Sequence, residues 1–200
     1  MKKAYKGEFG YIEYARKFSI IRTIICLVIT IGIFIVGLII YKSNKSAFSI
    51  IAALGCLPTG WSAVNMIMYL RAGVLKKESY KKIEAHKGGL YISYELEMTA
   101  YETNYHIGAA TVLEKNVICY TDYKETDIAE CEKHIHTCIS QGGYSSYTVK
   151  VFNDIDKFCA RLDQLEAMRA ASGIDPKAIE DAWVAGTTET CAHILKSISL

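Results

Sequence analysis

Two long stretches of almost purely apolar positions occupy the first third of the chain. Residues 20–41 read IIRTIICLVITIGIFIVGLIIY, with Arg22 as the only charge, and residues 47–70 read AFSIIAALGCLPTGWSAVNMIMYL, with no charge. A helix needs about 20 apolar residues to cross the hydrocarbon layer of a membrane, and each run is long enough. A soluble hairpin of this kind would need a partner core that the remaining residues are too few to supply. A cleaved signal peptide has a shorter apolar region, of about 7–15 residues. The pattern therefore predicts two transmembrane helices.

Basic residues cluster on both outer sides of this hairpin, whereas the connector 42–46 contains only Lys42 and Lys45. Positively charged flanks stay in the cytoplasm. We therefore expect both termini to be cytoplasmic, residues 42–46 to form an external turn, and the chain to reside in the cell (inner or plasma) membrane. The bilayer and its anionic headgroups are the first partners that this pattern predicts. The flanking basic residues are Lys2, Lys3, Lys6, Arg16, Lys17 and Arg22 on one side, and Arg71, Lys76, Lys77, Lys81, Lys82 and Lys87 on the other. Asn65, within the second span, could donate a hydrogen bond across the hairpin.

The pattern of apolar positions changes after the basic linker. In LYISYELEM, alternate residues from Leu90 to Met98 are apolar, which predicts a half-buried strand. YHIGAATVL predicts a second strand, VICYTDY a third that is apolar on both faces and therefore central, and SYTVKVF a fourth. Helices are expected after the N-caps Asp127 and Asp154, and again from Pro176.

These elements predict a membrane α-helical hairpin joined to a cytosolic α+β domain. Its order is α-β-β-β-α-β-α-α, with a mixed four-stranded sheet. The expected segments are a basic N-terminus (1–19), two spans (20–41 and 47–70) joined by the turn 42–46, a basic linking helix (71–89), the α+β domain (90–172) and a C-terminal helical tail (173–200).

Charge and motifs narrow the functional classes. Residues 90–200 contain nine basic and seventeen acidic side chains, a net charge of −8, which argues against nucleic acid as a partner. G-x-S-x-G, P-loop and dinucleotide-binding patterns do not occur in the sequence, so no cofactor is expected. The leading interpretation is a binding or interaction module without an assigned reaction. A homo-oligomer and a cytosolic partner of unknown identity are left open.

The stretch CEKHIHTC, residues 131–138, resembles a metal site in composition only. On a helix, Cys131 and Cys138 lie within about 20° of each other on the apolar stripe, while His134 lies at its edge and His136 points away. Structural zinc needs four converging ligands, so we expect core cysteines here. The metal alternative uses Cys131 and His134 with a distant further ligand.

The order α-β-β-β-α-β over roughly residues 75–152 resembles the core of the restriction-endonuclease-like fold. That resemblance implies a metal-dependent nuclease with an acid on the second strand and an acid-x-Lys motif on the third. Here HIGAATVL lacks the acid, and the nearest matching residues are Glu102, Asp122 and Lys124. A membrane-tethered nuclease, or a catalytically silent version of one, is thus the alternative function. The chain also resembles small two-span membrane proteins of bacteria, which implies no mechanism.

Overall fold

The computed structural model of the chain describes residues 3–42, 47–100, 103–184 and 186–200. The chain divides into two compact units. The first, which we call the helical unit, comprises Ile12–Ala72. The second, the α+β unit, comprises the N-terminal segment up to Tyr11 together with Gly73–Leu200. The N-terminal segment therefore folds with the C-terminal two thirds of the chain.

The helical unit consists of α1, Tyr11–Tyr41, and α2, Ala47–Arg71. At 1.5 Å per residue these helices are about 46 Å and 37 Å long, which exceeds the hydrocarbon thickness of about 30 Å. Most of their large apolar side chains are exposed, Ile39 and Leu57 among them. Both helices are long enough and apolar enough to cross a membrane. Helix α1 begins at Tyr11, within the segment 1–19 that the sequence assigns to the basic N-terminus.

Hydroxyl side chains line the contact between α1 and α2. Thr23 Oγ1 lies 2.9 Å from Ser62 Oγ, and Thr30 Oγ1 lies 3.1 Å from Thr59 Oγ1. Thr30 also packs against Gly55, where an added Cβ would lie 3.0 Å from Thr30 Oγ1. Small and hydroxyl residues let two helix backbones approach closely and form hydrogen bonds in apolar surroundings. The contact is therefore of the kind that holds transmembrane helices together.

Arg16 and Asn65, two further polar side chains of the helical unit, donate hydrogen bonds to backbone carbonyls. The Arg16 guanidinium donates to the carbonyls of Tyr69 at 3.0 Å and Ala72 at 2.9 Å. A cation at the C-terminal end of α2 complements the helix dipole. Asn65, in contrast, donates to the carbonyl of Trp61 in its own helix at 2.9 Å. The expected hydrogen bond from Asn65 across the hairpin is therefore not formed, because the nearest carbonyl lies one turn earlier in the same helix.

The α+β unit confirms the mixed four-stranded sheet. The strands lie in the order β1-β2-β3-β4; β1 and β3 each pair antiparallel with β2, and β3 pairs parallel with β4. Strand β3 is interior, as predicted. The elements are α3 Lys77–His86, β1 Ile92–Thr99, β2 Asn104–Leu113, β3 Asn116–Tyr120, α4 Ile128–Gln141, β4 Thr148–Phe152, α5 Ile155–Ser172, α6 Pro176–Asp181 and α7 Cys191–Ser197. The linking helix α3 is thus shorter than the predicted segment 71–89.

Acidic residues begin three of these helices, and two of them, Asp127 and Asp154, are the caps that the sequence predicts. Asp127 accepts a hydrogen bond from the third residue after it, and Asp154 and Asp175 accept from the second and third residues after them. These side chains satisfy backbone N–H groups that the helix itself leaves unpaired. Local chemistry therefore determines where α4, α5 and α6 begin.

Each face of the sheet is covered by a pair of helices. Side chains alternate along β3: Val117 and Cys119 join the core beneath α4 and α7, while Ile118 and Tyr120 join the core beneath α3 and α5. We call these the α4–α7 core and the α3–α5 core. The buried helix residues are Cys131, Ile135, Ile139, Cys191, Ile194 and Leu195 in the first, and Ile83, Phe158, Leu162 and Leu165 in the second.

Strand β1 departs from the half-buried strand that its alternation predicts. Ile92 and Tyr94 pack into the α3–α5 core, whereas Leu96 and Met98 pack into the α4–α7 core. The alternation shifts at Glu95, whose φ of 52° lies in the left-handed region. The prediction that these apolar residues share one face is therefore wrong, and β1 is buried on both faces.

The C-terminal segment 173–200 is part of the folded unit. Pro176 opens the short helix α6 as predicted, but α7 contributes three buried residues to the α4–α7 core. Beyond α7, Ser199 bridges to Met98, and the Leu200 N–H donates to the Glu97 carbonyl at 2.7 Å. The end of the chain thereby covers part of the β1 edge, which would otherwise expose unpaired backbone groups.

Candidate functional site

The aspartate of the acid-x-Lys motif lies just after β3 and contacts the start of α3. Asp122 Oδ2 accepts a hydrogen bond from the Lys76 N–H at 3.1 Å. Its Oδ1 accepts from Ser79 Oγ at 3.1 Å and from the Tyr120 hydroxyl. The positive end of a helix dipole favours a carboxylate at this place. Asp122 is therefore occupied in attaching α3 to the sheet.

We expect Asp122→Ala to lower the free energy of unfolding by about 2 kcal/mol, because several donors lose a charged acceptor. Lys124→Ala should change it by less than about 0.5 kcal/mol, since this side chain is exposed. Denaturant unfolding of the full chain in maltoside micelles measures both values. Equal effects of the two substitutions would contradict the structural role of Asp122. Glu102, the remaining residue of the nuclease-like set, lies outside the described residues.

The cysteine–histidine stretch lies on α4 with its first thiol inside the protein. Cys131 is fully buried in the α4–α7 core, and burial raises the pKa of its thiol to about 12. Cys138 is half-buried rather than buried, and its Sγ lies 3.8 Å from His134 Nε2. The histidine thus approaches Cys138 and not Cys131, the partner in the metal alternative. Among the described residues, no three His, Cys, Asp or Glu side chains are grouped to hold a metal ion.

Strands β1 and β2 bury an acid–histidine pair that the sequence analysis did not single out. His106 Nδ1 lies 3.2 Å from Glu97 Oε2, and the side chains are 5% and 6% exposed. The Gly73 N–H donates to the same carboxylate oxygen at 3.2 Å. A Cβ on Gly73 would lie 2.5 Å from the imidazole, so glycine is required for this close approach. Glu97 and His106 are cross-strand neighbours, a relation that becomes visible only when the register is known.

Glu95, two residues before this pair, binds the other end of the chain. Its Oε2 accepts a hydrogen bond from the Gly10 N–H at 3.1 Å. Gly10 directly precedes α1, and Gly73 follows α2 by two residues. Neighbouring buried carboxylates of β1 therefore hold the two backbone segments that continue into the long apolar helices. This arrangement positions the chain and carries no evident chemistry of its own.

A cavity of about 250 Å³ lies between the C-terminal segment and the sheet. Helices α6 and α7 contribute one wall, and the ends of β1 and β2 together with the loop before β4 contribute the rest. Tyrosine rings and aliphatic side chains form most of its surface. We call it the C-terminal cavity; its principal lining residues are Tyr91, Tyr144, Tyr147, Ile174, Ile179 and Glu180.

Few polar groups reach this cavity, and their arrangement suits binding. The Glu180 side chain is 8% exposed and lies 3.6 Å from Lys196 Nζ. Lys196 donates to the Tyr91 hydroxyl at 3.1 Å, and Tyr144 donates to the Glu189 carbonyl at 2.6 Å. Burial, followed by the negative charge of Glu180, raises the pKa of the Cys191 thiol at the cavity wall to about 12. This thiol is therefore protonated at neutral pH and is a poor nucleophile.

No protein-family model, curated protein or solved structure matches the chain. The arrangement with the clearest binding chemistry is the C-terminal cavity, since Asp122 and the Glu97–His106 pair are used to hold the fold together. Sequence reasoning missed this cavity, because its lining residues come from segments far apart in the chain.

Proposed function

We propose that this chain is a two-span integral membrane protein whose α+β unit is a small-molecule-binding module on the cytoplasmic side. The observation that carries the binding half is the C-terminal cavity, an apolar hollow with one buried carboxylate at its wall. Ligand sites are typically concave, mostly apolar and furnished with a few polar groups, with volumes of about 300–1,000 Å³. A cavity slightly below that range suits a small ligand.

The membrane half of the proposal is supported by the surface of the helical unit. Its apolar side chains face outward, while the hydroxyl groups of Thr23, Ser62, Thr30 and Thr59 pair between the helices. This is the reverse of a water-soluble hairpin, which would expose its hydroxyl groups and bury its apolar residues. The basic residues on both outer flanks favour cytoplasmic termini and contacts with anionic lipid headgroups.

We expect reporter fusions to show both ends of the hairpin in the cytoplasm. A fluorescent protein fused after Leu200 should be bright, and alkaline phosphatase fused there should be inactive, because the phosphatase folds only outside the cytoplasm. Phosphatase inserted in the 42–46 connector should be active. The chain should also stay with membranes during alkaline carbonate extraction, since its helices are held by apolar contacts with lipid.

The reciprocal reporters provide the control for this experiment, because each is silent where the other is active. Phosphatase activity at the C-terminus would overturn the orientation. Release of the chain by carbonate would overturn membrane insertion itself, and α1 and α2 would then have to be covered by protein.

A further inference from the structure

We infer that the C-terminal cavity recognises a small organic cation, one that carries an alkylated ammonium group. This inference rests on the proposed function, because it names the ligand class of the same cavity. It follows from two features of the wall, the orientation of its tyrosine rings and the state of its buried carboxylate.

Two tyrosine rings that line the cavity pack nearly perpendicular to each other. The ring centroids of Tyr144 and Tyr147 lie 4.9 Å apart, and the ring planes are 80° from each other. A third ring, that of Tyr91, also lines the cavity. Aromatic faces carry partial negative charge and attract cations, and such walls suit alkylated ammonium groups, which are too bulky and too weakly hydrated for an ordinary ion-pair site.

Lys196 contacts one of these rings at its hydroxyl, to which its Nζ donates a hydrogen bond at 3.1 Å. Lys196 Nζ lies 5.2 Å from the centroid of the Tyr91 ring. The ammonium therefore lies beside the hydroxyl end of the ring and leaves its face to other groups. Lys196 does not itself belong to the cavity lining, so it does not fill the space in front of Tyr144 and Tyr147. The rings of Tyr144 and Tyr147 are thus the ones that a bound cation would contact.

The buried carboxylate of Glu180 adds a negative group to this wall, and Lys196 compensates part of its charge. Glu180 is paired with Lys196, but the separation of 3.6 Å between Oε2 and Nζ is too long for a hydrogen bond. The carboxylate would attract a quaternary ammonium group through its charge, since such a group has no N–H to donate. Glu114 also lines the cavity.

The charge around the cavity disfavours an anionic ligand. The pKa of Tyr144 is raised by burial and then by nearby negative groups, Cys191 when ionised, Glu180 and Glu189. An anionic ligand would be repelled by these carboxylates and by the net charge of −8 on residues 90–200. A neutral ligand could enter but would leave Glu180 without an added partner.

The test compares choline with 3,3-dimethylbutan-1-ol, a neutral molecule of nearly the same shape. The full chain is purified in maltoside micelles, because detergents with choline headgroups would compete. Binding is followed by calorimetry and by the fluorescence of Trp183 in a Trp61→Phe background. We expect choline to bind at least about tenfold more tightly than the neutral molecule, since charge is the only major difference between them.

Substitutions locate the site. Glu180→Gln keeps the side chain's size and removes its charge, and should weaken choline binding about tenfold without changing binding of the alcohol. Glu125→Gln, a matched change at an exposed residue outside the lining, should have no effect on either. Tyr147→Leu keeps an apolar wall and removes the ring, and should weaken choline binding about threefold to tenfold. If Glu180→Gln lowers the midpoint of thermal unfolding, the choline affinity of Tyr147→Leu tests the site in its place.

The outcomes separate this inference from the proposed function. If the alcohol binds as tightly as choline and Tyr147→Leu affects both equally, the cavity is a small-molecule site but its preference for a cation is wrong. If neither probe binds, the inference fails together with the binding half of the proposed function, while the membrane half is judged by the reporter fusions.

Discussion

His106→Ala should lower the free energy of unfolding by about 3–5 kcal/mol, because the substitution leaves a buried carboxylate without its partner. Glu97 is 6% exposed on its side chain, and apart from His106 its carboxylate accepts from the Gly73 N–H. A charge that is desolvated and only partly compensated is among the costliest changes a single substitution can make. Denaturant unfolding of the full chain in maltoside micelles, followed by Trp183 fluorescence in a Trp61→Phe background, measures the loss.

His136→Ala is the matched control, because this histidine lies exposed on α4 and should change stability by less than about 0.5 kcal/mol. The double variant Glu97→Leu with His106→Leu should recover much of the loss, since an apolar pair of similar volume no longer carries an uncompensated charge. The double variant could instead be less stable than His106→Ala by as much as the Glu97 substitution alone costs. That result would show that the two residues act independently, contrary to their contact.

Leu195→Ala should cost about 2–5 kcal/mol, the usual range for removing a buried leucine side chain from a packed core. Leu195 is 1% exposed and lies in the α4–α7 core, although it is only five residues from the end of the chain. The substitution leaves a cavity between α7 and the sheet that the neighbouring side chains can fill only in part. The same unfolding measurement determines the value.

Val184→Ala is the control within the same C-terminal segment. Val184 is 64% exposed, so its truncation should change stability by less than about 0.5 kcal/mol. The pair of variants distinguishes an integral helix from an appended tail. If α7 were only loosely attached, both substitutions would have equally small effects.

Both predictions concern contacts of strand β1, one through the Glu97–His106 pair and the other through the packing of α7. Glu97 uses its side chain for His106 and Gly73, and its backbone carbonyl accepts from the Leu200 N–H. Strand β1 is thus held at once by its neighbour in the sheet, by the segment that follows α2, and by the end of the chain. Loss of either the buried pair or the α7 core contact should therefore loosen the edge of the sheet that carries these connections.

Local signals were sufficient for much of the fold. The lengths of the two apolar runs, the caps at Asp127 and Asp154, and the uninterrupted apolar residues of β3 each depend on residues close together in the chain. The elements they predict are present in the structure, including the mixed sheet with β3 inside. Helices and strands are readable in such cases because backbone hydrogen bonding and short-range periodicity decide them.

The prediction for β1 failed for a physical reason that its alternation does not reveal. A left-handed backbone at Glu95 moves Leu96 and Met98 to the opposite core from Tyr94, and a non-glycine residue adopts that conformation only when its surroundings impose it. The carboxylates that alternation assigned to solvent are buried as a result. The pattern was correct as to which residues are apolar and wrong as to the face each one occupies.

The sequence by itself determined the two long apolar helices, their basic flanks, the order of strands and helices as far as α6, and the acidic character of residues 90–200. Each of these properties is local or a sum over residues. The tertiary structure alone decided that His106 meets Glu97, that α7 completes a core, and that Tyr91, Tyr144 and Glu180 surround one cavity. Such contacts join residues far apart in the chain, so they depend on strand register and helix packing, which the free energy of the whole fold selects and no short stretch of sequence encodes.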